Sequence, residues 1–260
     1  MKANYTVAMK SILGTRDEQQ DYSFYHKESN CVFAVVCDGI GGMAEGRMAS
    51  AVAAEKLKNL FFSKSDKEAY PSFFLRSVDI LDESVINLNL KSKDGSRLSA
   101  GTTIVSVVIE NNKLFWLSVG DSRLYLLRGN EIVRVTRDHN YFMSLDKLKQ
   151  ENHIDQGKYE TESVKGDALI SFIGMGGIQV MDYNEKPFCL LQGDTVLLTS
   201  DGLYRALPDE EILNTLNTLK DNDIEFALDN LINKSVERSA AFQDNTTCIV
   251  IRCCKEEVLA

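Results

Sequence analysis

Prolines are scarce in this 260-residue chain, three in all. No linker rich in proline, glycine or serine, no internal repeat and no low-complexity tract interrupts it, so one continuous domain over residues 1–260 is expected. Also missing is any run of ~18 consecutive apolar residues, the minimum for a membrane-spanning helix. The stretch from Met1 to Gly14 carries no apolar core of the secretory-leader kind, and a cytoplasmic protein is expected. The six cysteines, Cys31, Cys37, Cys189, Cys248, Cys253 and Cys254, form no C-x-x-C pair. That removes zinc-ribbon sites. Four of them lie in apolar, strand-like runs and read as buried free thiols of a reducing compartment. No basic stripe appears, and the formal net charge is −9. Nucleic-acid backbones are gripped by clustered Lys and Arg, so a nucleic-acid role is excluded.

What the chain has is acid and a sizeable core. Apolar residues make up 44% and charged residues 26%, ordinary values for a globular protein. A domain of this length buries roughly 70–75% of its unfolded surface and needs no staples. The excess of Asp suits either plain solubility or a site that holds cations.

Periodicity changes along the sequence. Strand-like runs at Asn4–Ile12, Asp21–His26 and Cys31–Cys37 come first. Met48–Phe62 predicts a helix with Met48, Val52, Leu57, Leu60 and Phe61 as its apolar stripe. Ser72–Leu90 predicts another, with Phe74, Val78, Leu81, Val85 and Leu88 spaced by three and four and Pro71 where a first-turn proline is tolerated. Strands return at Thr102–Ile109, Lys113–Val119, Arg123–Leu127 and Ile132–Thr136, with Asn111-Asn112 and Gly129-Asn130 as hairpin turns. Tyr141–Gly166 is polar with weak periodicity and predicts an irregular surface excursion. Beyond it come strands at Phe188–Leu191 and Thr195–Thr199, helices at Asp209–Leu219 and Asp223–Val236, and a last strand at Thr246–Arg252. Strand blocks separated by helix pairs favour an α+β fold of packed antiparallel sheets with helices outside over a doubly wound parallel sheet.

One arrangement recurs. An apolar run ends in Asp beside Gly at Val35-Val36-Cys37-Asp38-Gly39, at Leu117-Ser118-Val119-Gly120-Asp121 and at Val196 to Asp201-Gly202. A further acid, Asp244, opens a strand. Each alone reads as a turn residue. Together, strands ending in carboxylates can present them at one rim. Oxygen-only ligands select hard cations such as Mg²⁺, Mn²⁺ or Ca²⁺ over Zn²⁺. No 12-residue loop gathers the acids as an EF-hand would. Arg16 adds the side chain best shaped to grip phosphate through two parallel hydrogen bonds. His26, His139 and His153 are the only histidines, and all three read as structural. Thr102, Thr103 and Ser200 flank the acids and are expected to support them by packing and hydrogen bonding.

On these residues the sequence resembles the metal-dependent protein phosphatase family, the type 2C or PPM serine/threonine phosphatases, in its bacterial form. The matching segments are Arg16–Asp21, Cys37–Ser50, Ala100–Thr103, Val119–Leu124, Gly193–Leu203 and Asp244–Thr247, in the family's order over roughly 230 residues. The resemblance implies two packed antiparallel sheets flanked by helices. It implies that Asp38 bridges two Mn²⁺ or Mg²⁺ ions, with the Gly39 carbonyl, Asp201 and Asp244 as further ligands. Asp21 would hold water from behind, and Asp121 with Asp201 would take a third, weaker ion. Arg16 would grip phosphate. Gln19, Met43 and Arg47 stand where Asn, His and Glu are common, and Ile40 where eukaryotic members carry a histidine proposed as general acid. The stretch before Gly174 lacks the usual His-Pro and Arg-Asn elements.

The reaction so implied is hydrolysis of phosphoserine and phosphothreonine by a metal-activated hydroxide, without a phosphoenzyme. Substrates would be the phosphorylated products of a serine/threonine kinase, met by a monomer away from membranes. Two alternatives stand beside it: a non-catalytic relative, disfavoured because every metal carboxylate is present, and a hydrolase of small phosphate esters.

Overall fold

The computed structural model describes residues 4–41, 43–88, 100–217 and 223–254, the side chains of residues 43 and 44 excepted. Three strands come first, β1 (Asn4–Ile12), β2 (Asp21–Lys27) and β3 (Cys31–Ile40), followed by helices α1 (Met43–Phe62) and α2 (Tyr70–Ile86). Five strands then follow: β4 (Gly101–Thr102), β5 (Ile104–Glu110), β6 (Lys113–Val119), β7 (Arg123–Arg128) and β8 (Glu131–Arg134). Helices α3 (Tyr141–Gln150) and α4 (Gln156–Glu162) lead to short strands β9 (Asp182–Tyr183) and β10 (Phe188–Cys189). The chain continues through β11 (Thr195–Thr199), α5 (Asp201–Tyr204), α6 (Asp209–Asn217), α7 (Ile224–Ser239) and β12 (Thr246–Cys254). The predicted helix ends at Leu90 and Leu219 lie outside the described residues.

Among the described residues every strand pairing is antiparallel. One sheet of five strands runs β1-β12-β11-β7-β8; the other runs β10-β6-β5-β3-β2, with β4 on β3 and β9 on β6. Side-chain alternation explains why they stack. In β3, Phe33, Val35 and Cys37 face the cluster built with α1 and α2, while Val32, Ala34 and Val36 face the other sheet. In β12, Ile249, Ile251 and Cys253 face that same inter-sheet core, while Cys248 and Val250 meet α6 and α7. Period two sends alternate residues to opposite faces, so a strand buried on both reads as an unbroken apolar run. Three hydrophobic clusters therefore fill the three gaps of a helix–sheet–sheet–helix stack, the predicted α+β architecture.

The hairpin expectations hold for a physical reason. Asn111, Asn112 and Gly129 all take positive φ, 51°, 63° and 58°. Asn and Gly tolerate that region best, and it is what tight turns between twisted strands need.

Two expectations need correction. The stripe of α1 is rotated: Ala49, Ala53, Ala54 and Leu57 are fully buried against the sheet, while Met48 is 38% exposed. Alanine lets the helix lie close to β3 but contributes little to a hydrophobic pattern. Residues 141–166, expected to be irregular, form α3, α4 and a 3₁₀ turn at Ser163–Lys165. Within these three helical pieces only Leu145 is buried, so the helices sit on the surface and show no apolar period.

All six cysteines are free. Cys37, Cys248 and Cys253 are buried as expected, but Cys189, at the end of the short edge strand β10, is exposed. Among the described residues no helix is long and apolar enough to cross a membrane.

Candidate metal centre

The ends of β3 and β11, the turn between β6 and β7 and the start of β12 converge on one cleft of about 420 Å³. Asp38, Gly39, Asp121, Asp201, Asp244 and Arg16 line it, together with Ile40 and Phe172. Acids remote in sequence thus line one cleft.

Close backbone approach brings them there. A methyl group added to Gly202 would fall 2.2 Å from the Asn245 carbonyl oxygen, and one added to Gly39 would fall 2.2 Å from that of Gly46. Only glycine allows α5 to touch the start of β12, which sets Asp201 beside Asp244. The same is true of β3 against α1. At these two positions glycine makes room for the neighbouring chain.

Hydroxyls fix the rest. The Asp38 amide donates to Thr103 Oγ1 at 3.0 Å, and Thr102 Oγ1 donates to the Asp38 carbonyl at 2.9 Å. Ser200 Oγ donates to Asp21 Oδ2 at 2.7 Å. Asn245 accepts from the Gln20 amide and donates to the Leu13 carbonyl, both at 2.8 Å, tying the Arg16 loop to the start of β12. These are the supporting roles expected of Thr102, Thr103 and Ser200.

Asp21 stands opposite Asp38 in the β2–β3 register and does not line the cleft. It is 7% exposed, and its Oδ1 has no hydrogen-bond partner. His139 is fully buried; it accepts from the Gly120 amide through Nδ1 at 3.1 Å and so braces the turn that carries Asp121. Gln19 folds back onto Ser11 and Ile12, while Arg47 pairs with Glu18 at 2.8 Å, joining α1 to the Arg16 loop.

The electrostatics are those of crowded acids. Burial pushes the Asp21 carboxyl up to about 6, against the hydrogen bond from Ser200. Burial and the charges of Asp21, Asp201, Asp121 and Asp244 push Asp38 well above the usual carboxylate range. Asp201 is pushed up to about 7 by burial, with Arg205 pulling it back and Asp121, Asp244 and Asp21 adding to the rise. Burial raises Asp121 too, opposed by Arg205. Like charges in a desolvated site resist ionising together. Divalent charge among them would remove that resistance.

Among the described residues no three His, Cys, Asp or Glu side chains already stand as a coordination set. The carboxylates turn instead to cations of the chain. Arg16 Nη2 lies 2.5 Å from Asp244 Oδ2, and Arg205 Nε lies 2.7 Å from Asp201 Oδ2. Oxygen donors, an orphaned buried carboxylate oxygen on Asp21 and mutually raised carboxyls together fit hard divalent ions. Sequence reasoning missed Arg205 and Asp167, both at this cleft. Arg205 was findable four residues after Asp201, the spacing of a helical ion pair.

Comparison with known proteins identifies the family. The family profile described as protein phosphatase 2C matches residues 11–233. The serine/threonine phosphatase stp of Listeria monocytogenes is 25% identical over 87% of this chain and 86% of its own length. The S. agalactiae serine/threonine phosphatase superposes with a TM-score of 0.80 at 21% identity, covering 96% of this chain and 99% of that one. The catalytic domain of the serine threonine protein phosphatase PstP, in complex with two manganese ions, gives 0.70 at 23% identity, covering 97% and 100%. The chain belongs to the protein phosphatase 2C family and is a protein serine/threonine phosphatase.

Proposed function

We propose that Asp38, Asp201 and Asp244, with the Gly39 carbonyl, hold two Mn²⁺ or Mg²⁺ ions at which phosphoserine and phosphothreonine side chains of other proteins are hydrolysed. The convergence of these acids with Arg16 in one cleft carries the reading. It has a counterpart in the relative PstP, whose catalytic domain is in complex with two manganese ions. When bound, the ions supply concentrated positive charge that acidifies a water and offsets charge on the phosphoryl oxygens.

The protein's own groups do the positioning. Arg16 sits at the cleft mouth, its side chain 58% exposed, and can turn its planar fork to two phosphoryl oxygens. Thr102 and Thr103 clamp the backbone on either side of the Asp38 carboxyl, so the reacting geometry is set before substrate arrives. Asp21, behind Asp38, offers a free acceptor that orients a water from below. No histidine lines the cleft among the described residues, so the leaving alkoxide takes its proton from water.

Proteins, not small esters, are the proposed substrates, as the names of the relatives suggest. Turnover of a phosphothreonine peptide, set against that of free phosphorylated metabolites in Mn²⁺, tests this. A peptide kcat/KM at least ~10-fold higher is expected. Equal or reversed preference would favour the small-ester reading.

A further inference from the structure

Arg205 faces three carboxylates from three separate parts of the chain. Its Nε meets Asp201 at 2.7 Å, Nη2 lies 3.9 Å from Asp121, and Nη1 lies 3.9 Å from Asp167. The residue is held there, since it follows α5 directly and α5 is pinned. Tyr204 donates its hydroxyl to the Asp121 carbonyl at 3.0 Å. The Arg123 guanidinium lies 3.5 Å over the Tyr204 ring, and Asp138 fixes Arg123 in turn through bonds of 2.9 and 2.7 Å. Asp121 and Asp201 are shut in, their side chains 10% and 16% exposed.

We propose that Arg205 is a built-in cation that takes the position of a third metal ion. The chain then binds two divalent ions where the resemblance to bacterial relatives implied a third on Asp121 and Asp201. This rests on the two-ion reading above. The competition favours the guanidinium for two reasons. Being tethered, it meets the acids at a high effective concentration. With two divalent ions already held by Asp38, Asp201 and Asp244, a third doubly charged ion is repelled more strongly than a singly charged side chain. Arg205 is thus a positioning residue. It neutralises Asp121 and draws Asp167, at the end of the α3–α4 segment, toward the cleft.

Equilibrium dialysis of the full chain against Mn²⁺, followed by metal analysis, tests this on wild type, Arg205→Gln and Arg205→Lys, with thermal melting to verify folding. Wild type should hold about two Mn²⁺ per chain, Arg205→Gln about three, and Arg205→Lys, which keeps the charge, about two again. Three ions in wild type, or no gain in folded Arg205→Gln, would overturn the role of Arg205. If Arg205→Gln fails to fold, the wild-type count alone decides between two and three. Fewer than two ions in wild type would overturn the two-ion reading and this inference with it, a result distinct from the others.

Discussion

Asp21 and Asp38 stand directly opposite one another on adjacent antiparallel strands, and both carboxyls are pushed above their ordinary range. Like charges placed across a strand pair oppose folding. Asp38 lines the cleft and Asp21 lies behind it, so the stability of the fold depends on whether these carboxyls carry protons.

The sign follows from linkage. An unfolded Asp titrates near ~3.9. In the fold Asp21 titrates at about 6 and Asp201 at about 7, with Asp38 raised as well. The folded chain therefore keeps protons that the unfolded chain has released. The stabilisation is fully present below about pH 4 and is lost as pH rises through 6 and 7. Asp182 is held low by Arg137 and His139 despite its burial, and it titrates below this window. Melting in EDTA should show Tm falling between pH 5 and pH 8, and saturating Mn²⁺ should flatten the slope. A Tm that climbs over that range in EDTA would contradict the crowded-acid description.

Gly202 links folding to the site in a different way. A Cβ at this position would meet backbone, the Asn245 carbonyl oxygen at 2.2 Å, along with Thr246 Oγ1 at 2.3 Å. Gly202→Ala must push α5 away from the start of β12. The expected cost is about 1–3 kcal/mol in urea denaturation. Mn²⁺ affinity should fall too, because Asp201 and Asp244 separate. Unchanged stability and affinity would mean that this approach does not set the carboxylate spacing.

The sequence made the core strands legible because they are buried on both faces and read as continuous apolar runs. Asp38, Asp121 and Asp201 were legible because each ends such a run beside a glycine, while Asp244 opens a strand instead. Burial patterns that alanine creates, as at Ala49 and Ala53, leave a faint signal, and the stripe of α1 was misplaced for that reason. Helices α3 and α4 bury almost nothing, so no periodicity announced them. Asp167 lines the cleft beside Arg205, a tertiary relation that local pattern does not carry.

Turnover of a phosphothreonine peptide by wild type and Asp38→Asn in Mn²⁺ tests the central claim most directly. Wild type should be active and should stop with EDTA. Asp38→Asn should lose at least ~10²-fold in kcat, the scale of removing a major transition-state stabiliser, while remaining folded. Full activity in Asp38→Asn would show that the chemistry does not depend on this carboxylate and would contradict the account.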